Sequence, residues 1–98
     1  MKFTDGSEAF VSLTYQVEGV PEDIPKAIAL FGSYEKAIES LHSSVKSATY
    51  SVLESQTLNY IRLNRDTLSK SIVDKTKTTQ KRCGYRITEL AILNIKEM

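Results

Sequence analysis

The chain has 98 residues, of which 41% are hydrophobic and 26% charged, and its formal net charge is +1. This length fits one domain over residues 1–98, with a core expected over 9–96. The apolar content excludes a disordered chain, and the near-zero charge excludes a strong overall field that attracts nucleic acid or an anionic membrane.

The N-terminal part of the chain predicts a strand followed by a short helix. Apolar and polar residues alternate over Val11–Val17, which is typical of a strand with one buried face. Pro25 is tolerated in a first helical turn, and Asp23 before it is a candidate cap. We therefore expect a short helix over Lys26–Phe31 that ends at Gly32.

The middle of the chain predicts a long amphipathic helix. Ser33 is a candidate N-cap, and apolar residues then recur at spacings of three and four to about Leu53 or Glu54. The stripe consists of Tyr34, Ala37, Ile38, Leu41, Val45, Ala48 and Val52. Ser55 and Thr57 can cap again, and a short helical turn over 58–63 follows.

The last helix is predicted to start after Asn64, a candidate N-cap, and to run through Arg82. Its core-facing residues are Leu68, Ile72 and Val73, and from Asp74 onwards it is almost wholly polar. Gly84 follows, in the position that favours a left-handed cap.

The chain closes with a long predicted strand over Tyr85–Ile95. Its apolar residues change phase between Ile87 and Leu90, which indicates a bulge near Thr88–Glu89. The predicted fold class is α+β, with helices packed on a small antiparallel or mixed sheet in the order strand, helices, strand. Because two strands make a marginal sheet, they either pair with each other or await strands from outside this chain.

Three segments carry a family resemblance: the strand end Tyr15–Val17, the segment Thr57–Asp66 leading into a helix, and Cys83–Ile92 with its phase change. With them, the chain from about Val11 to Ile95 resembles the second half of the SPFH (band 7) domain of the stomatin/prohibitin/flotillin family. Arg65 and Gly84 mark the most specific part of this order. The long helix departs from the family, which often has an arginine where this chain has Val45-Lys46-Ser47.

The resemblance implies a non-catalytic scaffold that self-associates and regulates partner membrane proteins or proteases. The first strands of such a domain, its membrane anchor and its coiled coil are absent from these 98 residues, so we expect a fragment or a shortened relative. Membrane contact is then expected through regions outside the chain, with the parent protein facing a reducing compartment and this chain alone soluble. The single cysteine also favours a reducing compartment.

No catalytic, metal-binding or cofactor-binding pattern stands out in the sequence. His42 and Cys83 are the only residues of their types and do not make a zinc ligand set. We interpret His42 as a surface or boundary residue and Cys83 as a quiet, partly buried one. Arg65 and Asp66 are better explained by capping and a local ion pair than by catalysis.

A basic helix face is the basis of an alternative function. Lys75, Lys77, Lys81 and Arg82 are four cations within eight residues, and a small nucleic-acid-binding module could use them. No aromatic residues for base stacking lie among them, so a solvated helix end is the favoured interpretation. Nucleic acid is therefore not the expected partner.

Overall fold

Two long strands near the two ends of the chain pair with each other, and five helices lie between them in sequence. The computed structural model describes all 98 residues. The elements are β1 (Ala9–Gly19), α1 (Ile24–Phe31), α2 (Tyr34–Leu53), α3 (Leu58–Leu63), α4 (Arg65–Lys75), α5 (Lys77–Cys83) and β2 (Tyr85–Glu97). The fold is α+β, as the sequence predicts.

The sheet is antiparallel and two-stranded, with Ala9 opposite Glu97 at one end and Gly19 opposite Tyr85 at the other. The register shifts twice, and each time the extra residue lies on β2. Thr88 is the first, which confirms the bulge predicted near this position; Leu93 is the second and was not predicted. The buried residues of β2 therefore follow spacings of two and three: Tyr85, Ile87, Leu90, Ile92 and Ile95.

Local signals set most helix ends. The Ser33 hydroxyl accepts a hydrogen bond from the Lys36 amide at 3.2 Å, and the Thr57 hydroxyl accepts one from the Tyr60 amide at 3.2 Å. Both caps satisfy amides that a helix start leaves unpaired. Asn64 precedes α4 as predicted, but its side-chain amide donates to the Tyr60 carbonyl at 2.9 Å instead of capping α4.

The last predicted helix is not continuous, because it is interrupted at Thr76 between α4 and α5. Thr76 is fully buried, and both its amide and its hydroxyl donate to the Val73 carbonyl, at 3.0 and 2.8 Å. This three-residue turn is tighter than an α-helical one. The Thr76 carbonyl then accepts the Gln80 amide at 2.8 Å, which starts α5. The expectation of one helix through Arg82 is thus wrong.

The core lies between one face of the sheet and the helices. α4 and α5 pack against β2, and α2 packs against α4 and α5, whereas β1 packs chiefly against β2. Phe3 also joins the core, although it precedes the predicted core range 9–96. The molecule is elongated, at 44 × 20 × 17 Å. None of the helices is both long enough and apolar enough to cross a bilayer.

Candidate functional site

The outer edge of β1, away from β2, is open along most of its length. At its start, Met1 covers the edge: the Ala9 amide donates to the Met1 carbonyl at 3.0 Å, and the Met1 amino group donates to the Ala9 carbonyl at 3.0 Å. Backbone groups alternate between the two edges of a strand. Those of Val11, Leu13, Tyr15 and Val17 therefore point to the same outer edge, where they have no backbone partner.

The open edge carries no charge. From Ala9 to Val17 the strand contains neither a charged residue nor a proline, and Glu18 is the first charge. Natural sheets commonly protect their edges with lysine, proline or other charges. β2 carries Arg86, Glu89, Lys96 and Glu97, so the two strands differ in this respect. The edge of β1 is thus an unprotected template for pairing with another strand.

An apolar groove runs along the inner face of β1 and separates it from α2. Its volume is about 470 Å³, and 8 of its 12 lining residues are hydrophobic. The lining residues are Met1, Ala9, Phe10, Val11, Ser12, Leu13, Tyr15, His42, Val45, Lys46, Thr49 and Tyr50. Val11, Leu13 and Tyr15 are only half-buried, because the helices cover β2 more closely than β1.

His42 contributes to this groove from α2. Its Nδ1 atom and the Tyr15 hydroxyl form a hydrogen bond, and the two rings lie 5.6 Å apart between centroids. Burial raises the pKa of the Tyr15 phenol. The interpretation of His42 as a surface histidine agrees with its exposed position. Its contact with Tyr15 was missed because 27 residues separate the two in sequence.

Arg65 connects the start of α4 to the second bulge of β2. Its Nη1 atom donates to the Leu93 carbonyl at 3.2 Å. The expected ion pair with Asp66 is absent, since the salt bridges join Lys77 to Asp74 and Arg86 to Glu18. Arg65 thus links the start of α4 to an irregular part of the sheet.

Gly84 ends α5 in the left-handed conformation that the sequence predicts, with φ of 78°. Cys83 before it is 1% exposed, so it is more deeply buried than expected. Burial raises the pKa of the Cys83 thiol, and the nearby Ser40 and Arg82 act in the opposite direction. A protonated, buried thiol is a poor nucleophile.

The four predicted basic residues do not form one patch. Lys77 and Lys81 lie one turn apart on α5 and line a depression of about 220 Å³, together with Asp23 and Arg86. Lys75 ends α4, on the other side of the interruption at Thr76, and does not line this depression, nor does Arg82. Lys77 is also paired with Asp74 at 3.2 Å.

The buried polar side chains bond within the chain, with the exception of the Tyr85 hydroxyl. The Gln80 side-chain amide donates to the Thr76 hydroxyl at 2.9 Å, and its carbonyl oxygen accepts the Ile87 amide at 2.8 Å. The hydroxyls of Thr49 and Ser69 each donate to a carbonyl one turn earlier in their helices. No three His, Cys, Asp or Glu side chains lie close enough to hold a metal ion.

No model of a known protein family matches the chain, and no curated protein matches it either. The resemblance to the stomatin/prohibitin/flotillin domain is therefore a hypothesis drawn from residue patterns. The open β1 edge and its groove are the candidate functional site because they combine unpaired backbone groups with an apolar surface.

Proposed function

We propose that the chain is a non-catalytic interaction domain that associates with itself and with other proteins, in the manner of an SPFH scaffold. Its role is to hold and regulate membrane proteins or proteases as partners. Membrane contact belongs to regions outside these 98 residues. The resemblance over Tyr15–Val17, Thr57–Asp66 and Cys83–Ile92 supports the family assignment.

The observation that carries the proposal is the open edge of β1 above an apolar groove. Added strands gain main-chain hydrogen bonds at such an edge, and side-chain pockets beside it provide selectivity. This part of the molecule offers both an open edge and a side-chain pocket. The backbone of Val11–Val17 is unpaired on its outer side, and eight hydrophobic residues line the groove beside it. Among the buried polar groups of the core, those of Thr76 and Gln80 bond within the chain, and the Tyr85 hydroxyl is the exception without a partner.

Sedimentation over a concentration range tests the proposal. We expect the chain to pass from monomer to a larger species as its concentration rises. Tyr50→Glu should weaken this association about tenfold, because it removes an aromatic ring from the groove and places a second charged residue there beside Lys46. Tyr60→Glu is the matched control: Tyr60 on α3 is 43% exposed and Tyr50 is 41% exposed, but Tyr60 does not line the groove.

Two results would contradict the proposal. A chain that stays monomeric up to millimolar concentration has no self-association. Equal effects of Tyr50→Glu and Tyr60→Glu, with circular dichroism showing intact helices in both, would mean that the groove takes no part.

A further inference from the structure

We propose that the occupant of the β1 edge is β1 of a second copy of the same chain, paired antiparallel about a two-fold axis at Thr14. This inference deepens the proposed function and rests on it. It names the partner, the strand and the register. The product is a four-stranded sheet in the order β2, β1, partner β1, partner β2.

The side chains of β1 complement their own reversed order. With Thr14 on the axis, Val11 lies opposite the partner's Val17 and Leu13 lies opposite the partner's Tyr15. On the outer face, Ser12 lies opposite the partner's Gln16, and the two Thr14 side chains face each other. Apolar residues thus meet apolar residues, polar residues meet polar ones, and threonine pairs of this kind stabilise sheets. No two like charges come into opposition, since Val11–Val17 has none.

The free part of the edge fixes the axis. Met1 occupies the edge at Ala9, and Glu18 brings the first charge at the other end. The uncharged, unoccupied stretch is therefore Val11–Val17, and Thr14 is its middle residue. A slip of one residue would set apolar side chains against the polar face. With Thr14 on the axis, the partner's Gly19, which has no side chain, comes opposite Ala9 and Met1. A slip that places Leu13 on the axis would instead bring the larger side chain of the partner's Val17 against Met1.

Two features of the single chain also favour pairing with a second copy: its sheet has only two strands, and its shape is elongated. A two-stranded sheet is marginal by itself, whereas four strands are an ordinary number. The radius of gyration is 14.7 Å, whereas a compact domain of this length has about 12.6 Å. Pairing two copies along their long edges widens the shorter dimension of this elongated molecule.

The contact surface is small for a dimer. The groove has 12 lining residues, and the free part of β1 adds Thr14, Gln16 and Val17. Because stable interfaces use about 20–30 residues on each side, we expect a weak dimer that forms only at high protein concentration. An axis perpendicular to the sheet sets both helix layers on one face, so that the two grooves meet over the paired strands. Tyr50 on each α2 then borders the interface from above.

Disulfide trapping tests the register directly. Residues at a non-hydrogen-bonded antiparallel position lie about 4.5 Å apart between Cα atoms, which a disulfide can span. Thr14→Cys should therefore form a covalent dimer under mild oxidation, as seen on a non-reducing gel. Ser12→Cys alone should not form this dimer, since the two Ser12 positions are about 14 Å apart. Ser12→Cys mixed with Gln16→Cys should form it, because these two positions lie opposite each other. Native Cys83 is 1% exposed and does not compete.

Charge exchange on the axis provides a test without covalent bonds. Thr14→Lys and Thr14→Glu should each weaken the dimer two- to fivefold, because like charges then face each other. An equimolar mixture of the two variants should restore association. Asn94→Lys is the control, since Asn94 is exposed on β2, opposite Ser12 and away from the axis.

The outcomes separate the two proposals. A chain that dimerises but shows neither the Thr14→Cys crosslink nor the effect of charge overturns the inference and leaves the proposed function standing. Crosslinks centred on Leu13 or Tyr15 overturn the register. A chain that is monomeric at every concentration overturns the proposed function and the inference together.

Discussion

Gly84 is held by two independent constraints. Its φ of 78° lies in the left-handed region, and a Cβ atom there would lie 3.0 Å from the Ile24 Cα and 3.2 Å from the Ile24 nitrogen. The Gly84 carbonyl also accepts the Val20 amide at 2.9 Å. Backbone therefore packs on backbone where α5, β2 and the start of α1 meet, and a side chain has no room.

Gly84→Ala should reduce the free energy of unfolding by about 3 kcal/mol, from left-handed strain and overpacking together. Gly32→Ala is the matched control. Gly32 also caps a helix in the left-handed conformation, with φ of 88°, but a Cβ there meets nothing within 4 Å. Gly32→Ala should lower the free energy of unfolding by only about 1–2 kcal/mol. Urea denaturation measures both, and equal losses would contradict the close approach of Ile24.

Tyr85 combines a buried ring with an unpaired hydroxyl. The residue is 6% exposed, its oxygen has no hydrogen-bond partner, and its ring packs edge-on against Tyr34 with centroids 5.6 Å apart. Burial raises the pKa of Tyr85 from 10.0 to about 12, and Tyr34 adds to the effect. Between these pH values the unfolded phenol loses its proton while the folded one keeps it, so rising pH favours unfolding.

We expect the free energy of unfolding to fall as pH rises from 10 to about 12, and Tyr85→Phe to lessen this fall. At pH 7 the variant should be as stable as the wild type or up to about 1 kcal/mol more stable, because it removes an unsatisfied buried group. Urea denaturation at several pH values measures this, with Tyr50→Phe as the exposed control. A clear loss of stability at pH 7 would show that the hydroxyl has a partner.

At the scale of elements, the two bulges make β2 fit its partner. Thr88 and Leu93 have no partner on β1. Because each is one extra residue, the apolar residues before it and after it both lie on the inner face of the sheet. Arg65 reaches the second bulge through the Leu93 carbonyl. Removing a bulge residue should therefore leave the strand pairing in register.

Deletion of Leu93 should keep the fold and lower the free energy of unfolding by at most about 1.5–3 kcal/mol, the range for a hydrogen bond to a charged group, because the exposed Arg65 contact is lost. Deletion of Ser12 is the control, since β1 has no spare residue. Deleting Ser12 reverses the alternation, so either Ala9 and Val11 or the apolar residues after Ser12 turn toward solvent. Each large side chain that is exposed in this way lowers the free energy of unfolding by about 1.5–3 kcal/mol. Thermal unfolding ranks the two, and equal losses would contradict the bulge at Leu93.

The sequence predicted those features that depend on near neighbours. The stripe of α2 from Ala37 to Val52, the caps at Ser33 and Thr57, and the left-handed Gly84 follow from residues a few positions apart. Tyr34, predicted at the start of the stripe, is 52% exposed. The interruption at Thr76 was missed because it depends partly on Gln80, which also reaches the Ile87 amide in β2. The bulge at Leu93 did leave a signal, the three-residue spacing from Ile92 to Ile95.

Most of the candidate site could not be predicted from the sequence, because it also depends on residues far apart in the chain. Alternation over Val11–Val17 indicated a strand, but it could not tell which edge would stay open. That depends on Met1 covering only the start of the edge and on the helices packing over β2. The meeting of Tyr15 with His42 also requires the whole fold, since it joins β1 to α2.

At the scale of the whole molecule, the proposed dimer would link association to folding. A second copy that binds only the folded chain raises its apparent stability by mass action. We therefore expect the Tm to rise with protein concentration over a hundredfold range, and to rise less for Thr14→Lys than for Asn94→Lys. Scanning calorimetry measures this, and a Tm independent of concentration would contradict the linkage.

The position of the two strands in the chain also sets the timing of synthesis. About 65 residues separate Gly19 from Tyr85. At about 5–20 residues per second, a ribosome finishes β1 roughly 3–13 s before β2 begins. During those seconds β1 has neither β2 on one side nor a folded copy on the other. A nascent chain thus presents an uncharged strand with both edges free, and nascent-chain chaperones are the factors suited to shield it.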